Sequence, residues 1–156
     1  MLRISKLTDY ATVILAHLTT VPDRLHTAAE VSQSTGIAQP TVTKLLKQLQ
    51  KSRLVSSTRG TRGGYQLARP ANDISAAQIL DALEGPVAIT ECAGHVSQCG
   101  IEHACRVGHT WQRINSSIRQ ALEDISLSQL TDTSALRTPP IANEIRIAAL
   151  RIPVRS

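Results

Sequence analysis

Three cysteines fall within one short stretch, Cys92, Cys99 and Cys105, spaced Cys-x6-Cys-x5-Cys. Around them stand Glu91, His95, Glu102, His103 and His109, and Arg106 follows the last thiol directly. Thiolates are ligands for soft metal centres, and three on one Gly-bearing loop can converge on a single centre. The close-set Cys-x2-Cys pairs of structural zinc sites are absent. A cluster with wider ligand separation therefore suits this spacing better than one tetrahedral ion. Arg106 favours the thiolate form of its neighbour. Zinc and a metal-free thiol switch stay open on spacing alone, and three thiols leave a fourth ligand to be found. His109, His103, His95, Glu91 and Glu102 are local candidates, and Asp9 is a distant one that could equally serve the start of a helix. An odd number of cysteines argues against a disulfide framework.

The rest of the chain must position that stretch. It has 156 residues, 42% of them hydrophobic, which suits one small domain with an extension and excludes wholesale disorder. The formal charge of +5 is unevenly spread. Residues 1–70 carry ten basic and three acidic side chains, residues 71–130 three and seven, and residues 131–156 four and two. A basic front joined to an acidic middle points to a phosphate-bearing partner for the front. Aromatic residues make up only 2%, with no Phe, so stacking on single strands is excluded and double-stranded DNA is the expected ligand. No apolar run is long enough for a membrane span and no secretory pattern opens the chain, so a cytoplasmic protein without a membrane partner is expected. No nucleophile–base pair or phosphate-cradling helix motif is present. We therefore expect neither an enzyme nor a small-molecule substrate.

The basic front has the pattern of a winged helix-turn-helix. Leu7, Tyr10, Ala11, Ile14, Leu15 and Leu18 recur at helical spacing and predict a first helix over residues 5–18. Thr27 and Glu30 form a capping box that opens a second helix, and Gly36 is placed to end it. Pro40 suits the first turn of a third, whose apolar positions are Val42, Leu45, Leu46 and Leu49. Its other face carries Gln39, Thr41, Thr43, Lys44, Lys47 and Gln48, as a helix lying in a major groove requires. Two β-prone runs then flank the loop Arg59-Gly60-Thr61-Arg62-Gly63-Gly64, predicting a hairpin wing. Gln39, Thr41, Thr43, Lys44 and Gln48 are candidates for base edges or nearby phosphates. Lys47, Lys51, Arg53, Arg59 and Arg62 are candidates for phosphate. His17 is read as a packing residue beside the apolar stripe and His26 as a surface loop residue.

Ser75 and Gln78 form a second capping box, for a helix ending at Gly85-Pro86. From Val107, the residues Trp111, Ile114, Ile118, Ala121 and Ile125 alternate steps of four and three, the seam of a helix that pairs with a second copy. A mainly α chain follows. Residues 1–85 form the winged helix-turn-helix, 86–105 the cysteine loop, 106–130 a long dimerisation helix and 131–156 a tail.

These features resemble a family of winged-helix regulators that includes the IscR, NsrR and SUF-operon regulators. The resemblance rests on Leu7-Thr8-Asp9-Tyr10-Ala11, on Leu54-Val55, on the wing Arg59-Gly60-x-x-Gly63-Gly64-Tyr65-x-Leu67, and on the three cysteines. The stretch from Cys92 to Asn115 looks like the branch that controls iron–sulfur assembly genes. The resemblance implies a repressor whose iron–sulfur cluster, [2Fe–2S] before [4Fe–4S], sits on Cys92, Cys99 and Cys105 and sets DNA affinity. A nitric-oxide or redox sensor of the same family and a zinc- or thiol-containing DNA-binding protein are the alternatives. The chain departs from the pattern at the fourth ligand. IscR-like members carry a histidine three residues past the last cysteine, where this chain has Gly108, one position before His109. Nitric-oxide-sensing members can use a carboxylate at the position of Asp9.

Overall fold

In a computed structural model of the chain, residues 4–86 and 107–132 are described. Cys92, Cys99 and Cys105 therefore lie outside the described residues, together with Glu91, His95, Glu102 and His103 and the tail from residue 133. The first helix, α1 (Lys6–Thr19), is capped by Ser5, whose hydroxyl accepts from the Thr8 amide. The second, α2 (Ala28–Thr35), starts at the expected Thr27–Glu30 capping box and stops at Gly36. Gly36 has φ +72°, a left-handed conformation that costs a side chain-bearing residue energy. The third, α3 (Gln39–Lys51), has Pro40 in its first turn and buries Val42, Leu45, Leu46 and Leu49. Strands β1 (Val55–Thr58) and β2 (Gly64–Leu67) pair antiparallel, with Val55 opposite Leu67 and Thr58 opposite Gly64. Then follow a 3-10 turn (Ala71–Asp73), α4 (Ala76–Glu84) with the Ser75–Gln78 capping box, α5 (Gly108–Glu123) and α6 (Leu127–Thr131). The predicted mainly helical fold with a small hairpin is the observed one.

One core joins these elements. Ile14, Leu15 and Leu18 of α1 meet the buried stripe of α3, Ile74 ahead of α4, Ile79 within it, and Leu127 of α6, all at most 2% exposed. Leu7 is the exception in the predicted α1 stripe, at 41% exposed.

Two expectations need correction. The helix read as running to residue 130 ends at Glu123, because Ser126 and Gln129 make a third capping box that starts α6. Leu127 then donates its amide to the Ile74 carbonyl at 2.7 Å, and Ala76 donates to Ile125 at 2.8 Å. This pairing folds the end of the C-terminal segment into the core of the N-terminal unit. His26 is the second correction: it is buried, not a surface loop residue. Its amide and carbonyl exchange 2.8 Å hydrogen bonds with Tyr65, adding a single bridge to the wing sheet. A Cβ at Gly64 would sit 2.9 Å from the His26 carbonyl oxygen, so glycine is what allows this approach. The His26 ring also meets His17 edge-on, with centroids 5.0 Å apart. His17 is half-buried, as expected of a packing residue.

Two outcomes follow from this packing. Leu127→Ala should destabilise the fold by about 2–5 kcal/mol in chemical denaturation, the usual cost of an emptied core position; a surface helix would lose far less. Partial burial, then the neighbouring His26 and Arg24, hold the His17 pKa below the ordinary histidine range, while Glu30 opposes them. The unfolded chain therefore takes up its proton first as pH falls. Stability is full above the ordinary histidine pKa and erodes as pH drops through it toward the lower folded value. Denaturation midpoints should fall between about pH 8 and about pH 5 in the native chain, and His17→Gln should flatten that slope.

Candidate nucleic-acid interface and cysteine-linked helices

The outward side of α3 presents Gln39, Lys44 and Lys47 exposed, with Thr41 and Thr43 half-buried beside them. Pro40 near its start leaves one fewer amide to satisfy, and the buried leucines fix which side faces out. The wing follows within a few residues of its end and carries Arg59 and Arg62, both exposed. Between α3 and the wing lies a hollow of about 260 Å³, lined by Lys47, Gln50, Ser57, Thr58, Arg59, Gly64 and Tyr65. Its lining holds two cations and no acid. Gln50 spans it by donating to the Ser57 hydroxyl at 2.7 Å, which fixes the wing against the helix. Cationic and hydroxyl donors around a groove-sized helix can bind a phosphate backbone while the helix reads bases.

Gln48 is not part of that face. It is half-buried, and its amide nitrogen donates to the Ala82 carbonyl at 3.1 Å and the Leu83 carbonyl at 3.4 Å, in the last turn of α4. The sequence expectation put it outward because it is polar. Helical position alone cannot tell a solvent-facing amide from one that satisfies the end of a neighbouring helix.

Three further contacts radiate from the same turn of α4, and none was legible from spacing. Glu84 accepts from the Ser5 amide at 2.9 Å and the Thr8 hydroxyl at 2.5 Å, across the start of α1. Those donors, Thr8 first, hold the Glu84 carboxyl below the usual carboxylate range. Asp81 takes both terminal guanidinium nitrogens of Arg119 on α5, at 3.2 and 2.8 Å. Arg119 also pairs with Glu123 one turn on, at 2.9 Å. The contacts made by Glu84 and Asp81 join residues 38 to 79 positions apart, beyond the reach of local spacing.

The candidate ligands outside the cysteine loop are both at helix starts. Asp9 is exposed in the first turn of α1, at a hollow with Ile4, Ser5 and Lys6. His109 is exposed in the first turn of α5, just past the cysteine stretch, while Gly108 beside it is buried. Among the described residues no three His, Cys, Asp or Glu side chains gather into a metal site. The α5 seam leaves Val107, Trp111, Ile114 and Ile125 between 39 and 58% exposed. Among the described residues no helix is long and apolar enough to cross a membrane.

Comparisons with known proteins agree with this geometry. Residues 4–133 match the Rrf2 family, described as iron-dependent transcriptional regulators. A helix-turn-helix-type transcriptional regulator, ORF2 of Azotobacter vinelandii, is 33% identical over 106 residues, 68% of this chain. The match spans 64% of that relative's length. Two solved structures share the fold. CymR, the global cysteine regulator of B. subtilis, superposes with a TM-score of 0.65 at 24% identity, over 84% of this chain and 97% of its own. IscR of T. potens gives 0.63 at 24% identity, over 88% and 93%. With its helix-turn-helix, its wing and its matched span, the chain belongs to the Rrf2 family of transcriptional regulators.

Proposed function

We propose that this regulator is a cytoplasmic homodimer that reads a double-stranded operator with α3 and the wing and senses an iron–sulfur cluster, as a repressor of iron–sulfur assembly genes. The observation that carries the sensing half is the Cys92, Cys99 and Cys105 triplet joined in one chain to a basic reading face. The donor set fits such a group. Three thiolates come from the loop, and the fourth ligand comes from Asp9 or His109, both exposed, or from His103. When bound, the cluster supplies a redox-labile, iron-dependent charge centre, with [2Fe–2S] preferred over [4Fe–4S]. The chain's own residues do the rest. Gln39, Thr41, Thr43 and Lys44 face the bases, Lys47 and Arg59 grip phosphates from the 260 Å³ hollow, and Arg62 does so from the exposed wing loop. The exposed seam of α5 is the surface that a second copy covers, because Trp111 and Ile114 on the helix and Val107 and Ile125 beside its ends stand exposed and favour association. Two paired α3 helices then meet two half-sites. A second reading, a cluster-free thiol sensor, is favoured by the likeness to the cysteine regulator CymR.

Anaerobic purification separates the two readings. A cluster gives a brown protein with stoichiometric iron and sulfide, which Cys99→Ser abolishes, and removing the cluster changes operator affinity about 5- to 150-fold. A colourless protein, or equal affinity with and without iron, overturns the sensing half. For the DNA half, Lys47→Ala and Arg59→Ala should each weaken binding to all duplexes alike and lower the salt slope by about one unit. A loss confined to one base position, with the slope unchanged, overturns the phosphate assignment.

A further inference from the structure

The last turn of α4 touches three helices at once. Its backbone carbonyls at Ala82 and Leu83 accept from Gln48 of α3. Its Asp81 side chain holds Arg119 of α5 through two parallel hydrogen bonds. Its Glu84 side chain caps the start of α1. The turn is also where α4 stops: Gly85, at φ +85°, leads the chain out toward Cys92, seven positions on. The two Gln48 hydrogen bonds therefore use carbonyls that the helix itself cannot satisfy. A displacement of this turn shifts the acceptor positions under α3 and the anchor of α5 together.

We propose that the last turn of α4 sets the docking angle of α3 on DNA, with Gln48 as a positioning residue and the Arg119–Asp81 pair as the input from α5. This rests on the reading of α3 as the base-reading helix. Gln48 points away from the outward face yet sits within the last four residues of that helix, so it acts on DNA only through the tilt it imposes. Arg119 lies outside the apolar seam of α5, so it reports the position of that helix without lying in the surface a second copy would cover. The ion pair is bidentate, with side chains 31 and 28% exposed, so a shift of α5 carries Asp81 with it. The amide bonds of Gln48 transmit that movement to α3.

The test uses the full chain without iron and a duplex that the wild type enriches from a random-sequence pool, with a scrambled duplex of equal composition as reference. Affinities come from fluorescence anisotropy for Gln48→Met, Arg119→Met and the double variant. Met keeps the volume of Gln and removes its donor. Each single change should lower selected-duplex affinity about threefold to tenfold, the loss expected for hydrogen bonds of this kind. Scrambled-duplex affinity should hold, so the specificity ratio falls, whereas a merely structural loss lowers both. The double variant should bind no more weakly than the poorer single, since both act through one turn. Re-selection with Gln48→Met should return the same base preferences. Gln48→Asn, too short to reach the carbonyls, and Asp81→Asn, which breaks the pair from its other side, repeat the cycle should a first variant fail to fold. Unchanged affinity in the Gln48 variants, losses that multiply, or a preference relaxed at one base position would each overturn the proposal alone. A wild type that enriches no duplex overturns the DNA reading and the proposal with it.

Discussion

The end of α4 is where the chain's satisfied hydrogen bonds constrain the most structure. An α-helix leaves its last carbonyls without partners, and burying them unpaired is costly. Here the Gln48 amide takes two of them, which fixes α3 against α4 by a directional contact as well as by packing. Glu84 ties the same turn to the amide and hydroxyl that start α1. Three helices of the reading unit are thus registered at one point. Remove that point and the leucine core still holds the helices together, but apolar contact is non-directional and leaves their angles free over a range. A DNA-reading helix needs its angle fixed, since the side chains that meet base edges project only a few ångströms from its surface.

The charge distribution makes sense on that frame. The +5 of the whole chain hides a front with ten basic and three acidic side chains and a middle with three and seven. Three of the five described acids in the middle, Asp81, Glu84 and Glu123, are engaged with Arg119 and the α1 start. They organise helices, which keeps negative charge off the face that carries Lys44, Lys47, Arg59 and Arg62. Among the described residues, the hollow between α3 and the wing has no acid in its lining. A phosphate approaching it meets attraction from both walls, and the Gln50–Ser57 bond keeps those walls at a set separation.

How far the sequence foretold this depended on range. Local grammar was readable: the Thr27–Glu30 and Ser75–Gln78 boxes, Gly36 and Pro40 all sit where their chemistry demands. The same grammar holds in the Ser126–Gln129 box, masked in the sequence by the apolar seam that runs up to Ile125, the residue just before it. Contacts between distant residues were not readable. Gln48 was placed outward because an amide suits both water and DNA, and only the position of α4 shows that it faces two carbonyls. His26 looked like a loop residue because it precedes a capping box; its burial comes from pairing with Tyr65, 39 positions away in the sequence. The ligand question divides the same way. Three closely spaced thiols are visible as a set, whereas Asp9 and His109 are exposed side chains at two helix starts that sequence distance alone cannot rank.

The α5 helix shows what its two faces require. On one side, Val107, Trp111, Ile114 and Ile125 leave large apolar area in water, a cost that is relieved when a second surface covers it. On the other, the bidentate Arg119–Asp81 pair, with side chains 31 and 28% exposed, ties it to α4, and Glu123 joins the same network. That tie leaves α5 free to shift only together with the last turn of α4. Its last residues complicate that freedom, because Ile125 and Leu127 are hydrogen-bonded beside Ile74 and Leu127 is fully buried. The C-terminal end of α5 is therefore anchored in the core, while its N-terminal end begins at Gly108, three positions past Cys105 in the sequence. Arg119 lies between those ends, so a shift of the helix reaches α4 at Asp81.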